Sequence, residues 1–181
     1  HFKKKEPLVL YEKYKYLLDS KDNTIVKDWI QGLYAGALVK KEQVVQGVYE
    51  FTKLFDADKI NWHLSYYNFH HIKTNEQWNE LQKLAHNNDE KTKIYALRAL
   101  NENSNVLEEL ENIYTIDKNS KWFDFVLYRE LLDTQHFFDQ DEYMARTIVP
   151  YEKYINYLKT IKKDDMYLVN LSLAYFNLYE K

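Results

Sequence analysis

Between residues 63 and 71 the chain places His63, Tyr66, Tyr67, His70 and His71, its densest group of side chains able to hold a metal ion or exchange protons. His63 and His70 stand seven residues apart, which on a helix puts them on nearly one face but about 10 Å apart along the axis. That separation is too long for one zinc ion without ligands from another element. Helical metal pairs stand four apart, and neither His63–Tyr67 nor Tyr67–His71 supplies two ordinary ligands. The spacing therefore reads as an aromatic helix face with half-buried histidine tips, and a metal role is the alternative. A second group, Asp133, His136, Asp139 and Asp141, could present carboxylate, imidazole and carboxylate on one helix face. Such sites take further ligands from facing helices, and the Glu-x-x-His pattern of di-iron bundles is absent from the chain. A solvated acidic helix end is the better reading.

Nucleophilic chemistry finds no support. There is no Gly-x-Ser-x-Gly elbow, and Gly32, Gly36 and Gly47 form no phosphate-cradling loop. They read instead as close-packing points between helices. Cysteine is absent, which excludes disulfides, thiolate metal sites and a Cys nucleophile. The paired carboxylates Glu108–Glu109 and Asp164–Asp165 fall at predicted helix starts or solvent faces, where they suit the macrodipole. The expectation is no catalytic residue, no metal site and no cofactor, hence no enzyme. The alternative is a metal-binding or enzymatic helical domain using His63, His70 and His71, or His136.

The elements that must position these groups are helices. Gly occurs three times and Pro twice in 181 residues, against usual shares of roughly 7% and 5%. Sheets and hairpins need both as punctuation, so their scarcity points to helices joined by short polar turns. Apolar residues recur at steps of three and four in about ten segments. Pro7 to Asp19 carries Leu10, Tyr14 and Leu17; Thr24 to Val39 carries Ile25, Trp29, Leu33 and Ala37. Glu42 to Phe55 carries Val44, Val48 and Phe51, and Lys59 to Ile72 carries Ile60, Leu64 and Tyr67. Thr74 and Gln77 have the spacing of a capping box ahead of Trp78 and Leu81. Further helices are predicted from Asn88, from Ser104 or Asn105, from Ser120 to about Phe138, from Tyr151, and from Asp164 with Leu168, Leu171, Tyr175 and Leu178. Linkers of a few residues force neighbours to pack antiparallel. The predicted fold is all-α: antiparallel helical hairpins stacked into a solenoid of about ten helices, in a single domain spanning 1–181.

Charge narrows the partners. Net charge is −3 with both signs interleaved, so no basic stripe exists to neutralise phosphates, which argues against nucleic acid. No stretch approaches the roughly 18 apolar residues of a membrane span. Membrane association is expected solely through an anchor before residue 1, where His1 reads as a tag remnant and Lys3-Lys4-Lys5 as a solvated arm or an anchor's flank. The 17 tyrosines exceed what the core needs, and pairs such as Tyr11 and Tyr14, Tyr66 and Tyr67, or Tyr151 and Tyr154 cannot all point inward. Exposed Tyr suits protein-binding surfaces. With 22 Lys and 15 Asn, the codon bias of an AT-rich genome explains the excess equally well.

Internal repetition is degenerate but readable. Leu168, Leu171-Ser172 and Tyr175 resemble the tetratricopeptide repeat, with Ser172 in the place of its small Gly. Trp29, Gly32, Tyr34 and Ala35-Gly36-Ala37, followed by a helix ending Leu54-Phe55-Asp56-Ala57-Asp58, resemble it too, without the terminal Pro. Ile94 to Leu100, Leu107-Glu108-Glu109-Leu110, Asn119 to Trp122 and Leu127-Tyr128-Arg129 within 91–141 are similar to the tetratricopeptide-like periplasmic domain of membrane-anchored bacterial proteins, the ancillary Sec translocon subunit among them. The resemblance implies a non-enzymatic scaffold that binds a protein or peptide on its concave face, with a periplasmic or membrane-anchored location. Tyr66, Tyr67 and His70 are the partner-binding residues expected, and the apolar last helix suggests a homo-oligomer as a further possibility.

Overall fold

The computed structural model describes residues 6–17, 24–56, 62–101, 104–139 and 150–179. The protein is all-α, with ten α-helices and no strand among the described residues. It divides into two compact units, His1–His86 and Asn87–Lys181.

The first unit holds α1 (Glu6–Tyr14, then a 3₁₀ turn at Lys15–Leu17), α2 (Ile25–Lys40), α3 (Val44–Thr52), α4 (Trp62–Phe69) and α5 (Asn75–Leu84). α2 and α3 form its central hairpin, and α4 and α5 pack on α3. The hairpin closes because α2 presents small residues: Ala35 packs with Phe51 and Leu54, and Ala37 and Leu38 are buried as well. Gly47 is the closest point. A Cβ there would lie 2.6 Å from Val39 Cγ2 and 2.8 Å from the Ala35 carbonyl oxygen, so no larger residue fits. At Gly32 a Cβ would press on Leu64 at 3.3 Å, whereas at Gly36 its nearest neighbour is Phe51 at 3.9 Å. The close-packing role expected of three glycines therefore holds at Gly47, in part at Gly32, and not at Gly36.

The turn between α2 and α3 is a Schellman motif. Gln43 N–H donates to the Leu38 carbonyl and Glu42 N–H to that of Val39, satisfying the orphan carbonyls of α2. The residue that turns the chain is Glu42, at φ 66°, where glycine would be unstrained. α3 ends three residues before the predicted Phe55: the Thr52 hydroxyl bonds the Tyr49 carbonyl, and Ser65 of α4, buried, donates to that of Phe51. The predicted capping box of α5 is present in both directions between Thr74 and Gln77.

The second unit holds α6 (Asn88–Ala99), α7 (Val106–Ile116), α8 (Lys121–Asp139), α9 (Tyr151–Leu158) and α10 (Tyr167–Tyr179). α6, α7 and α8 pack on one another, and α10 lies on α8 and α9. Asn87 caps α6 through the Glu90 N–H, and Asn105 caps α7 through that of Glu108. The core gathers Ile94, Leu97, Leu110, Ile113, Phe123, Leu127, Tyr154, Leu158 and Phe176, all but sealed from solvent.

Polar links join distant elements of this unit, some in its core and some at its surface. The Trp122 indole N–H donates to Asp89 at 2.8 Å, and the Ser120 and Thr92 hydroxyls meet at 3.0 Å. Arg129 donates to the Ala99 carbonyl at the end of α6, and Tyr157 to that of Leu110. The Tyr114 hydroxyl accepts from Lys162 N–H and donates to the Lys162 carbonyl, while Asn119 pairs with Asp164. Lys163, its side chain nearly buried, grips both oxygens of Asp124 at 2.6 Å. The buried links satisfy groups that would otherwise cost energy to bury, whereas those of Tyr114 with Lys162 and Asn119 with Asp164 lie at the surface.

Candidate functional site

The expected partner-binding residues lie on and just beyond α4, in the first unit. Local packing decides which side chains of that helix face outward. Ser65 is pinned to α3 through the Phe51 carbonyl, and Phe69 is buried edge-on to Trp78 of α5, with ring centres 6.3 Å apart. Ser65 and Phe69 stand four apart and define the inner face. The opposite face must then carry His63, Tyr67 and His70, which are exposed, with Tyr66 half-buried beside them. Tyr67 is 65% exposed.

The rings form a ladder on this face. His63 meets Tyr67 edge-on at 6.4 Å, Tyr67 meets Tyr66 at 5.4 Å, and Tyr66 meets His70 at 5.6 Å. From Ile60 to Ile72 the sequence has no Lys, Arg, Asp or Glu. The surface is thus aromatic and uncharged apart from its imidazoles, with hydroxyls and ring nitrogens at its rim. It can stack on apolar groups and exchange hydrogen bonds. Among the described residues no three His, Asp or Glu side chains are placed to hold a metal ion together. In the second expected cluster, Asp133 pairs with Arg129 at 3.2 Å. His136 and Asp139 belong to α8 with side chains outside the described set, and Asp141 lies outside the described residues.

A further exposed apolar surface on α2 overturns one reading. Ile25, Trp29 and Leu33 follow the spacing of a core-facing stripe, yet all three are exposed, Trp29 by 53% and Leu33 by 67%. The buried face of α2 is Ala35, Ala37 and Leu38 instead. The helix is apolar on two sides. Its small-residue side wins the contact with α3 because Gly47 permits the two backbones to come close, which bulky Trp and Leu would prevent. Val26, Trp29 and Leu33, at steps of three and four, are thereby left as a stripe facing water.

Ionisable groups in the interior serve structure. Glu50 of α3 is buried and accepts from Gln31 of α2 at 2.5 Å, Gln46 at 3.1 Å and Lys53 at 2.7 Å. Glu109 corrects the expectation of a solvent-facing pair with Glu108: it is buried, and Arg98 of α6 donates to its Oε1 at 2.6 Å. Burial raises the Glu109 carboxyl above its usual range, against the opposing pull of the Arg98 hydrogen bond and charge. The Tyr157 hydroxyl is also pushed up by burial. Neither group lines a cleft. In the second unit a concavity of about 360 Å³, lined by Asn105, Leu107, Glu108, Glu111, Pro150 and Lys153, carries two carboxylates and one ammonium but no nucleophile. The chain's helical spacing gave no sign of it.

No described helix is long and apolar enough to cross a membrane. Compared with known proteins, the chain matches no protein-family model, no curated protein and no solved structure.

Proposed function

We propose that this protein is a non-enzymatic binding domain that docks a protein or peptide segment on the aromatic and apolar surfaces of its first unit. Tyr66, Tyr67 and His70 would supply the aromatic contacts on α4, and Val26, Trp29 and Leu33 the apolar stripe on α2. The observation that carries this reading is the exposure of Trp29, Leu33 and Tyr67 on helices whose other faces are already packed. Large apolar side chains clustered at a surface mark interaction sites, and Trp and Tyr are the residues most often decisive there. A partner segment presenting Leu, Ile or Phe on one helical face would bury against these rings while the Tyr hydroxyls bond at the edge. The scaffold role also agrees with the repeat-like pattern of the sequence.

The test is capture of binding partners from the native lysate by the wild-type protein, set against Tyr66→Ala/Tyr67→Ala and Trp29→Ala/Leu33→Ala variants. The Trp29→Ala/Leu33→Ala pair should shift unfolding by no more than about 0.5 kcal/mol and the pair with half-buried Tyr66 by about 1 kcal/mol, while both abolish capture. An unchanged set of partners in both variants would refute the assignment. So would stoichiometric transition metal in tag-free protein that disappears with His63→Ala/His70→Ala.

A further inference from the structure

The last helix of the second unit is apolar on both sides. Its inner side, Val169, Ser172 and Phe176, is fully buried, with the Phe176 ring 5.6 Å from Tyr151 and 5.3 Å from Tyr154 of α9. Its outer side consists of Tyr167, Leu171, Ala174 and Leu178, at steps of four, three and four, all exposed. Tyr167 is 74% and Leu178 69% exposed. The spacing groups Leu168, Leu171, Tyr175 and Leu178 together as the helix's apolar residues; in the structure Leu171 and Leu178 are exposed while Leu168 and Tyr175 are half-buried. No residue from Tyr167 to Tyr179 carries a charge. Surface helices ordinarily dress the outer face with charge, and a helix apolar all round belongs in an interior.

We infer that this face of α10 is a self-association surface, and that its occupant is α10 of a second copy of the chain, running antiparallel. The inference is independent of the binding surfaces proposed for the first unit. Its first support is the lack of charge. An isologous contact presents the same patch from both copies, so a face that is apolar throughout is complementary to itself, and the exposed neighbours of the stripe are the neutral amides Asn170 and Asn177. A foreign partner selected by complementary charge would find nothing to read on it.

The arrangement of bulk is the second support. A two-fold axis passing between Ala174 and Tyr175 sets Leu171 of each copy against Leu178 of the other. Ala174, the smallest side chain of the stripe, then falls beside the axis, where the helices come nearest. Antiparallel pairing also places each helix's positive N-terminal end against the negative C-terminal end of its mate. A helix of this length runs about 20 Å, and its stripe alone offers less than the roughly 800 Å² per partner of a standard interface. Tyr128 and Leu132, exposed on α8, the helix beneath α10, can add area. The association should accordingly be weak and readily reversible.

Sedimentation velocity across a dilution series should show a monomer–dimer equilibrium for the wild type. Leu171→Glu and Leu178→Lys should each raise the dissociation constant roughly tenfold or more. Mixing these two variants should restore dimer, because the antiparallel register opposes Glu at 171 to Lys at 178. The chain has no cysteine, so Ala174→Cys under mild oxidation should yield a disulfide-linked dimer without adding charge, a readout that stands even if an acidic variant misfolds. A wild type that stays monomeric at the highest soluble concentration overturns the inference. Wild-type association that persists in the single variants, a mixture that does not pair, or absence of the Ala174→Cys crosslink does so equally.

Discussion

The two units join their helices by different devices. In the first, the central hairpin is held by backbone proximity at Gly47 and by small residues, while Trp29, Leu33 and Tyr67 face water. In the second, long polar side chains span the core, and the Tyr114, Tyr154 and Tyr157 hydroxyls bond Lys162, Glu130 and the Leu110 carbonyl. The same residue type serves as surface and as strut: Tyr67 and Tyr167 are exposed, whereas Tyr49 is buried and Tyr157 bonds the Leu110 carbonyl. Seventeen tyrosines thus do not form one functional class, and composition cannot separate the two uses. A Tyr strut needs a buried acceptor within reach, which is a property of neighbouring helices and not of spacing.

Substitution can sharpen this contrast, beginning with the strongest effect. Gly47→Val should destabilise by about 3 kcal/mol or more, since its side chain meets a backbone oxygen that cannot yield. Hydrogen exchange should then show protection lost foremost along α2 and α3. A cost below about 1 kcal/mol would mean that the hairpin is not held by backbone proximity. In the second unit the corresponding break is Arg98→Ala, which leaves Glu109 buried without its cation and should cost about 2 kcal/mol, less than a fully buried pair because Arg98 is partly exposed. Arg98→Met/Glu109→Leu should recover most of that loss in chemical denaturation. If the double variant is no more stable than the single, the pair does more than neutralise itself.

Smaller effects test the turn and the titration. Glu42→Gly should stabilise the protein by about 1 kcal/mol by relieving a left-handed conformation, seen as a higher melting temperature with unchanged helicity. For Glu109 the folded protein binds the proton more tightly than the unfolded chain, because burial raises the native value. Its contribution is therefore complete below the unfolded value and is lost as pH rises through the raised native one. The stability of wild type relative to Glu109→Gln should fall over that window and level off above it. An increase with pH would show that the Arg98 charge outweighs desolvation.

Much of the fold was legible in the residues. Scarce Gly and Pro and apolar steps of three and four located the ten helices, and Thr74–Gln77 gave a cap correct in both directions. Helix ends were less readable, because α3 stops where Ser65 of another helix takes its carbonyl. For the candidate site, the aromatic run at 63, 66, 67 and 70 was visible in the sequence, but its histidines were expected half-buried and are exposed, because packing of Ser65 on α3 and Phe69 on Trp78 sets the inner face of α4. For the stripes on α2 and α10 the spacing did not say which face is covered. Both helices are apolar on two faces, and periodicity finds a stripe without saying which neighbour covers it.

By itself, then, the sequence determined that the chain is helical, roughly where each helix runs, and that it contains no cysteine and no Gly-x-Ser-x-Gly motif. Local backbone preference and side-chain spacing carry that much. Only the tertiary structure decided which apolar face is core and which is surface, that Glu109 is interior while Asp164 is not, and which tyrosines are struts. Those outcomes depend on how near two helices can approach, and that distance is set by residues far apart in the chain: Gly47 against Ala35, Arg98 against Glu109, Tyr157 against Leu110.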